Sequence, residues 1–135
     1  MLFKNKIRYL VVHCSDTPNE EKLLALDIHK MHLDFGWDGI GYHKIINRNG
    51  EIENGRPEYW VGAHVKGLNQ ESLGVCLIGK DNFTNSQFKS LEKILKNWKI
   101  KYPKAVIDGH CNVIKTNKTC PNFNVLDWCK SRNLM

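Results

Sequence analysis

IRYLVVH, at residues 7–13, is the stretch of this sequence that decides the fold. It is a nearly continuous apolar run with no regular alternation of polar side chains, which is typical of a strand buried on both faces of a sheet. SLGVCLIG at residues 72–79 and AVID at residues 105–108 have the same character. The sequence therefore predicts three inner strands, and inner strands need a layer of helices on each face of their sheet.

The first predicted helix covers residues 24–35. Apolar side chains recur there at helical spacing and are expected to share one core-facing stripe: Leu24, Ile28, Met31 and Phe35. Gly36 follows as the stop, because glycine readily takes the left-handed conformation that ends helices. Thr17-Pro18-Asn19-Glu20 also has the pattern of a capping box with proline at the first helical position, so an earlier helix start at Thr17 is a second possibility.

A longer helix is predicted after the second inner strand. Thr84-Asn85-Ser86-Gln87 is a capping box at its start, and Pro103 ends it. One apolar stripe runs along this helix: Phe88, Leu91, Leu95, Trp98 and Tyr102. A terminal helix is predicted over residues 125–132. Strands interleaved with helices predict an α/β fold, a single three-layer domain over residues 1–135 in which a central mixed β-sheet is flanked by helices.

GYHKIINRNGEI, at residues 41–52, has the pattern of a β-hairpin. Its Asn49-Gly50 pair predicts a type I′ turn, in which both central residues need a positive φ. Tyr42 and His43 stand side by side at the start of the first strand, and adjacent strand residues point to opposite faces. Only one of these two side chains is therefore expected to face a site.

Composition restricts the class of partner. The chain has 135 residues, near the commonest size of one domain, and lysine plus arginine exceed the acidic residues by 6 (20 against 14). A basic protein favours an anionic partner, such as nucleic acid, a membrane surface or the acidic polymers of a bacterial wall. Nothing that resembles a nucleic-acid-binding motif accompanies the charge, so nucleic acid is not expected as a partner. Five cysteines, an odd number, favour reduced thiols or metal ligation over disulfides.

Three residues with metal-binding side chains lie at strand ends or in a loop. His13 ends the first predicted strand, His110 follows the last one, and Cys120 stands before Pro121. Two histidines and one cysteine suit an open zinc site with water in the fourth position. Nothing local joins the three, because the chain has neither His-Glu-x-x-His nor a Cys-x-x-Cys partner for Cys120. From the residues alone, a purely structural role for each histidine stays open.

Six motifs follow one another along the chain: VVHCSDT, GWDGIGYHKII, GRPEYWVGAHVKGLN, SLGVCLIG, IDGHCNV and KTCP. In this order they resemble the zinc-dependent N-acetylmuramoyl-L-alanine amidases of the type-2 amidase family, which includes the amidase-type phage lysozymes and the animal peptidoglycan recognition proteins. The resemblance covers residues 13–128 and is strongest to the phage enzymes. It implies a hydrolase that cleaves the amide bond between N-acetylmuramic acid and L-alanine in bacterial peptidoglycan, acting as a phage or prophage endolysin.

The resemblance also implies which residues form the site. The family's metal ligands fall on His13, His110 and Cys120, which would hold one Zn²⁺ per chain. Its catalytic pair falls on Tyr42 and Lys118. The ion would polarise the scissile carbonyl and activate a water, while Lys118 would help to stabilise the developing oxyanion. Tyr42 would orient the water or relay its proton, with its pKa lowered by the cation.

Other positions of the family pattern are informative as well. If Tyr42 faces the zinc, His43 is expected on the opposite face. His64, in GAH, matches a family position near the substrate groove and is expected to bind substrate. Two residues depart from the pattern: Cys111 stands where relatives often have a basic or polar residue, and Asn122 stands where glycine is frequent. Cys111 places a further thiol beside the ligand histidine.

Two other functions compete with hydrolysis. One is a non-catalytic peptidoglycan-binding module of the same fold, which is typical of relatives whose cysteine ligand is replaced; the presence of Cys120 favours catalysis. The other is a basic nucleic-acid binder, which only the charge suggests. The first 13 residues lack the apolar core and cleavage site of a signal peptide, and no segment approaches the length of a membrane span. We therefore expect a monomer, made in the host bacterial cytoplasm, that acts on the cell wall after release.

Overall fold

The computed structural model describes residue 2, residues 6–114, residue 116 and residues 119–134. Its strands and helices follow in the order β1 (Tyr9–Cys14), α1 (Ala25–Asp34), β2 (Lys44–Ile46), β3 (Ile52–Asn54), β4 (Ser72–Leu77), α2 (Asn85–Lys101), β5 (Val106–Gly109), α3 (His110–Val113) and α4 (Val125–Ser131). A short 3₁₀ helix (Asn69–Glu71) leads directly into β4. The three apolar runs of the sequence are strands, as predicted, and α3 is a helix that the sequence pattern does not predict.

The five strands form one mixed sheet in the order β3-β2-β4-β1-β5. β1 pairs in parallel with β4 and with β5, β2 pairs in parallel with β4, and β3 runs antiparallel to β2. This arrangement confirms the predicted α/β fold around a mixed sheet. The carboxyl ends of parallel strands lie at the same edge of a sheet, so His13, near the end of β1, and His110, directly after β5, are brought to one edge.

Helices cover both faces of the sheet. On one face, α2 and α4 pack against the strands through an apolar cluster that we call the α2-side core; its strand residues include Leu10, Val12, Ile46, Leu73, Val75 and Leu77, and its helix residues include Leu91, Leu95, Trp98, Val125 and Cys129. On the other face, α1 packs through a smaller cluster, the α1-side core: Ala25, Ile28, Ile40, Ile45 and Ile78. The two cores give the three layers that the sequence predicts.

Helix α2 matches its prediction in detail. The hydroxyl of Thr84 accepts from the backbone N–H of Gln87 at 3.0 Å, and the side-chain oxygen of Gln87 accepts from the backbone N–H of Thr84 at 3.0 Å. These two bonds satisfy donors that the first turn of a helix leaves without partners. Leu91, Leu95 and Trp98 are buried, so the predicted apolar stripe does face the core.

Helix α1 differs from its prediction. Of the four residues expected in the core, only Ile28 is buried; Leu24, Met31 and Phe35 are exposed, Phe35 by 63%. The buried face of the helix consists of Ala25, Ile28 and His32. The prediction was wrong because helical spacing shows which side chains share a face and not what that face contacts: Met31 and Phe35 border an open cavity rather than the core.

The segment before α1 is not helical at Thr17. The Thr17 hydroxyl lies 2.6 Å from the Ser15 hydroxyl instead of capping a turn, and the Asn19 side-chain oxygen accepts from the backbone N–H of Lys80 at 2.8 Å. These contacts tie the segment to the loop after β4, so the capping-box pattern does not start a helix here. The helix begins at Ala25, and Asp27 accepts from the backbone N–H of Leu24 at 2.8 Å.

The hairpin exists, but its turn is not type I′. Gly50 has a φ of +90°, whereas Asn49 does not lie in the left-handed region. The Asn47 N–H donates to the Glu51 oxygen and the Gly50 N–H donates to the Asn47 oxygen, which makes a three-residue loop with glycine in the left-handed position. A Cβ at Gly50 would lie 2.7 Å from Ser86 Cβ. The Thr84 hydroxyl donates to the Arg48 oxygen at 2.8 Å and the Ser90 hydroxyl donates to the Gly50 oxygen, so contacts with α2 and its cap hold the loop in this conformation.

Strand β5 is an edge strand, whereas the sequence predicted an inner one. It pairs with β1 alone and ends the sheet, and Val106 is 53% exposed. Its other apolar residue, Ile107, is buried in the α2-side core, which accounts for the apolar run. The terminal helix is present as α4, and among the described residues no helix has the length and apolar character needed to cross a membrane.

Candidate active site

A cavity of about 1090 Å³ opens at the carboxyl ends of β1 and β5. Five of the six residues that the sequence assigns to the site line it: His13, Tyr42, His64, His110 and Cys120. The sixth, Lys118, lies outside the residues that the structure describes. The fold thus brings together side chains from β1, from the segment before β2, from the segment before β4 and from the region after β5.

His13, His110 and Cys120 form a group that is able to hold a metal ion. One ligand atom of each residue lies within 4.8 Å of the ligand atoms of the other two, and the rings of His13 and His110 have centroids 4.8 Å apart. His13 is almost fully buried, while His110 and Cys120 are partly exposed toward the cavity. The arrangement gives two nitrogen donors and one sulfur donor with an open side.

The chemistry of these donors fits a borderline-soft divalent metal. Burial lowers the pKa of His13 well below its ordinary value, and the neighbouring His64 and His110 lower it further. His13 is therefore neutral, as a metal-binding imidazole must be. The contact with the Cys14 thiol and burial raise the pKa of Cys120 well above its ordinary value, while the backbone N–H of Cys14, which donates to Cys120 Sγ at 3.1 Å, acts in the opposite direction. A bound cation would therefore be needed to hold Cys120 in its thiolate form. Nitrogen and sulfur donors of this kind select zinc over magnesium or calcium.

Cys14 also lies at the site. Its Sγ is 3.7 Å from Cys120 Sγ, and it lines the cavity. Its position directly after His13 is the signal that the sequence offered, because a strand that ends at the site brings its last two residues there. Cys111, in contrast, directs its thiol toward Asn112 Oδ1 at 3.7 Å, and it is absent from the metal-binding group.

Tyr42 and His43 separate as expected. The Tyr42 ring centroid lies 5.1 Å from that of His13, and Tyr42 lines the cavity. His43 accepts the backbone N–H of Gly74 at Nδ1 and donates from Nε2 to the Trp60 oxygen at 2.8 Å, so its ring is used inside the domain. Burial raises the pKa of Tyr42 well above its ordinary value, and the thiol groups of Cys76 and Cys120 add to this. The protein surroundings alone thus keep Tyr42 protonated, opposite to the lowering expected from a cation.

His64 lies behind a metal-ligand candidate. Its Nδ1 is 2.8 Å from His13 Nε2 and its Nε2 is 3.2 Å from Ser72 Oγ. Burial lowers the pKa of His64 to about 3, and the neighbouring His43 and His110 contribute in the same direction. A Cβ at Gly74 would lie 2.6 Å from His64 Nδ1, so only glycine leaves room for this ring against β4. His64 is therefore a neutral ring with both nitrogens in contact with protein groups.

The loop that carries Cys120 is held by its neighbours. Asn122 has a φ of +67°, in the left-handed region that glycine and asparagine tolerate best, which explains why asparagine is acceptable at this position. Its Nδ2 donates to the backbone oxygen of Lys80 at 2.7 Å. The backbone N–H of Cys111 donates to the Cys120 oxygen at 3.0 Å. These bonds fix the loop to the ends of β4 and β5.

An apolar wall stands on the α1 side of the cavity. Met31, Phe35 and Trp37 line it together with His32. The His32 and Trp37 rings meet edge to face with centroids 4.5 Å apart, and His32 Nδ1 accepts from the backbone N–H of Gly41 at 2.9 Å. The sequence pattern assigned Met31 and Phe35 to the core, so the wall was missed. An apolar wall beside a few convergent polar groups is typical of a ligand-binding site.

Comparisons with known proteins identify relatives of this chain. A family model described as N-acetylmuramoyl-L-alanine amidase matches residues 3–123. The endolysin of Enterobacteria phage K11 is 40% identical over 132 residues, which cover 92% of this chain and 86% of that protein. The endolysin of Escherichia phage T7 is 38% identical over 134 residues, which cover 93% of this chain and 87% of that protein.

Solved structures show the same fold. The N-acetylmuramoyl-L-alanine amidase LysC from Clostridium intestinale URNW superposes with a TM-score of 0.85 at 29% identity, covering 100% of this chain and 91% of that one. Bumblebee PGRP-SA superposes with a TM-score of 0.82 at 25% identity, covering 96% of this chain and 83% of that one. From the match along most of its length and from these relatives, the chain belongs to the N-acetylmuramoyl-L-alanine amidase family.

Proposed function

We propose that this protein is a zinc-dependent N-acetylmuramoyl-L-alanine amidase that works as a phage or prophage endolysin, and that His13, His110 and Cys120 hold its metal ion. That it is a peptidoglycan-hydrolysing amidase related to phage endolysins follows from its family. The observation that carries the rest of the proposal is the meeting of these three donors in one cavity, within 4.8 Å of one another, although they come from three separate parts of the chain.

One zinc ion per chain suits this group of donors. When bound, such an ion activates a water molecule and polarises the scissile carbonyl. The imidazoles of His13 and His110 and the sulfur of Cys120 would hold it, and the cavity in front of them leaves room for the substrate amide. The grouping of His13, His110 and Cys120 in the structure supports this proposal.

Among the residues that the structure describes, Tyr42 is the group best placed to take part in proton transfer. It lines the cavity beside His13, and burial keeps its hydroxyl protonated, so it is able to orient a water or to give a proton to the leaving amine. Lys118 is assigned the stabilisation of the oxyanion on the basis of the family pattern only. Its role stays a prediction, since it is not among the described residues.

The biological setting follows the relatives. The chain covers 86% and 87% of the length of two phage endolysins, so we infer that residues 1–135 act as one domain and that the substrate is the peptidoglycan of a bacterial cell wall, reached after synthesis in the host. We propose a monomer with no nucleic-acid partner. The competing function is a peptidoglycan-binding module that does not cut, and the presence of Cys120 and Tyr42 in the cavity speaks against it.

Mass spectrometry of purified peptidoglycan, digested with the zinc-loaded protein, tests the function. We expect free stem peptides that begin with L-alanine together with uncut glycan strands, loss of these products after chelation, and their return when zinc is added back. Intact peptidoglycan that sediments with the zinc-loaded protein would identify a binding module. Cleavage by protein shown to be free of metal by elemental analysis would remove zinc from the proposal.

A further inference from the structure

A chain of three hydrogen bonds runs from His13 into the interior of the domain. His13 Nε2 lies 2.8 Å from His64 Nδ1, and His64 Nε2 lies 3.2 Å from Ser72 Oγ. Ser72 Oγ in turn donates to the backbone oxygen of Leu68 at 2.8 Å. Ser72 is fully buried and the two imidazoles are 2% and 9% exposed, so water has little access to these bonds.

The direction of the chain follows from its far end. A backbone carbonyl only accepts, and a serine hydroxyl has one hydrogen, so a Ser72 hydroxyl that donates to Leu68 offers only lone pairs to His64. His64 must then carry its hydrogen on Nε2 and present a lone pair at Nδ1. The Nε2–H group of His13 donates to that lone pair. The remaining nitrogen of His13, Nδ1, is left unprotonated.

The reversed direction is less favourable and would disable the ligand. Ser72 would donate over the longer contact of 3.2 Å and give up the contact of 2.8 Å to Leu68. His64 Nδ1 would donate to His13 Nε2, and the neutral His13 would carry its hydrogen on Nδ1. Both nitrogens of His13 would then be in use, and no lone pair would remain for a metal ion.

We propose that His64 and Ser72 are positioning residues that hold His13 in the Nε2–H tautomer, so that its Nδ1 is the atom presented to the metal. This inference rests on the proposed metal site and gives His64 a role different from the substrate contact that the sequence suggested. Both nitrogens of His64 are engaged, one by His13 and one by Ser72, which leaves neither for a substrate. Metal-binding histidines commonly depend on a partner of this kind at their second nitrogen.

Packing holds the His64 ring in place. A Cβ at Gly62 would lie 2.7 Å from His64 Cδ2, and a Cβ at Gly74 would lie 2.6 Å from His64 Nδ1, so backbone presses on the ring from two sides. The backbone N–H groups of His64 and Val65 both donate to Asn69 Oδ1, at 3.0 and 2.9 Å. The ring is therefore fixed relative to the strand that supplies Ser72.

Nuclear magnetic resonance of the metal-free, ¹⁵N-labelled protein reads the tautomers directly. Long-range ¹H–¹⁵N correlations distinguish a protonated Nε2 from a protonated Nδ1 in a neutral imidazole. We expect the Nε2–H form for both His13 and His64 at neutral pH. An Nδ1–H form at either residue would overturn the inference, and this result needs neither zinc nor activity.

A matched pair of variants tests the consequence for metal binding. In His64→Asn the side-chain oxygen replaces Nδ1 as the acceptor for His13, whereas in His64→Gln that acceptor is lost. We expect His64→Gln to weaken zinc affinity by about 10- to 100-fold, measured by competition with a chromogenic chelator, and His64→Asn to restore most of it. Ser72→Ala should weaken zinc binding by about 10-fold or less, since it removes a more distant bond.

The outcomes separate this inference from the proposed function. Equal zinc affinity for the wild type, His64→Gln and His64→Asn, with circular dichroism showing that all three are folded, would overturn the positioning role and leave the metal site intact. A wild-type protein that binds no zinc would overturn the proposed function. In that case, and also if the variants do not fold, the tautomers of the metal-free wild type still decide the direction of the hydrogen-bond chain.

Discussion

The two faces of the sheet differ in what their side chains do. On the α2 side, strands and helices meet in an apolar core with residues such as Leu95 and Trp98 fully enclosed. On the α1 side, the described residues form a smaller apolar cluster, and the rest of the face borders the cavity with its histidines, tyrosine and cysteines. Strand β1 serves both: Leu10 and Val12 enter the α2-side core, and His13 enters the cavity.

The apolar packing on the α2 side stabilises the fold. The α1 side instead buries polar side chains, which costs free energy but places them where the site needs them. Burying imidazoles and a tyrosine among thiols shifts their pKa values and costs free energy that an apolar residue would not. The apolar packing of the opposite face offsets that cost. Substitutions on the two faces should therefore have effects of different kinds.

The largest effect is expected from Cys120→Ser on the cavity side. Loss of the thiolate should remove zinc and reduce turnover by at least about 10³-fold, because activation of water depends on the ion. Elemental analysis and peptidoglycan digestion measure the two quantities. Cys111→Ser is the matched control and should keep both, since its thiol points to Asn112. A Cys120→Ser protein with one zinc per chain would show that the ligand is wrongly assigned.

Tyr42→Phe should reduce turnover by about 10²- to 10⁴-fold, the usual contribution of a group that transfers protons. Zinc content should stay at the wild-type level, because Tyr42 is not one of the three donors. Tyr59→Phe, at an exposed tyrosine, is the control. We expect Lys118→Ala to behave as Tyr42→Phe does. Unchanged turnover in either variant would show that the substituted residue has no role in catalysis.

On the α2 side, Leu95→Ala should lower the free energy of unfolding by about 2–5 kcal/mol, as is usual for a cavity left in a closed core. Denaturant unfolding measures this, and zinc content should not change. Ile100→Ala on the same helix is the control: Ile100 is 82% exposed, and its loss should change stability by no more than about 0.5 kcal/mol. Loss of zinc from folded Leu95→Ala protein would contradict the separation of the two faces.

The smallest effect on stability is expected from Phe35→Ala. The sequence pattern placed this residue in the core, but it lies exposed in the cavity wall, so the free energy of unfolding should change by no more than about 0.5 kcal/mol. The apparent KM for soluble peptidoglycan fragments should rise, because an apolar surface beside the reacting groups is lost. A decrease of several kcal/mol in the free energy of unfolding would show that Phe35 is a core residue.

Much of the fold could be predicted from the sequence, and the reasons are local. Apolar runs mark β1 and β4 because both faces of those strands are buried, and the Thr84–Gln87 capping box marks the start of α2 because its bonds join residues three apart. The turn at Gly50 and the edge position of β5 were not predictable in this way, since contacts with distant parts of the chain decide them.

The positions of the site residues were even harder to predict from local sequence patterns. His13 and Cys120 are 107 positions apart in the chain, and the pairing of β1 with β5, together with the hydrogen bonds of the Cys120 loop, brings the region after β5 to the end of β1. No rule of sequence spacing predicts that His13 and Cys120 come together. The resemblance to a known family therefore supplied this prediction, which the residue types alone did not. Met31 and Phe35 show the reverse case, in which a correct helical pattern was assigned to the wrong surroundings.

The short strands at both ends of the sheet bear on how the protein behaves in concentrated solution. β3 has three residues and β5 has four, so each offers few free backbone groups to a second chain. Long, flat edge strands promote sheet-to-sheet aggregation, whereas short edge strands offer few backbone groups with which aggregation could begin. Together with a formal net charge of +6, which makes copies repel one another, these edges should keep the protein dispersed in concentrated solution.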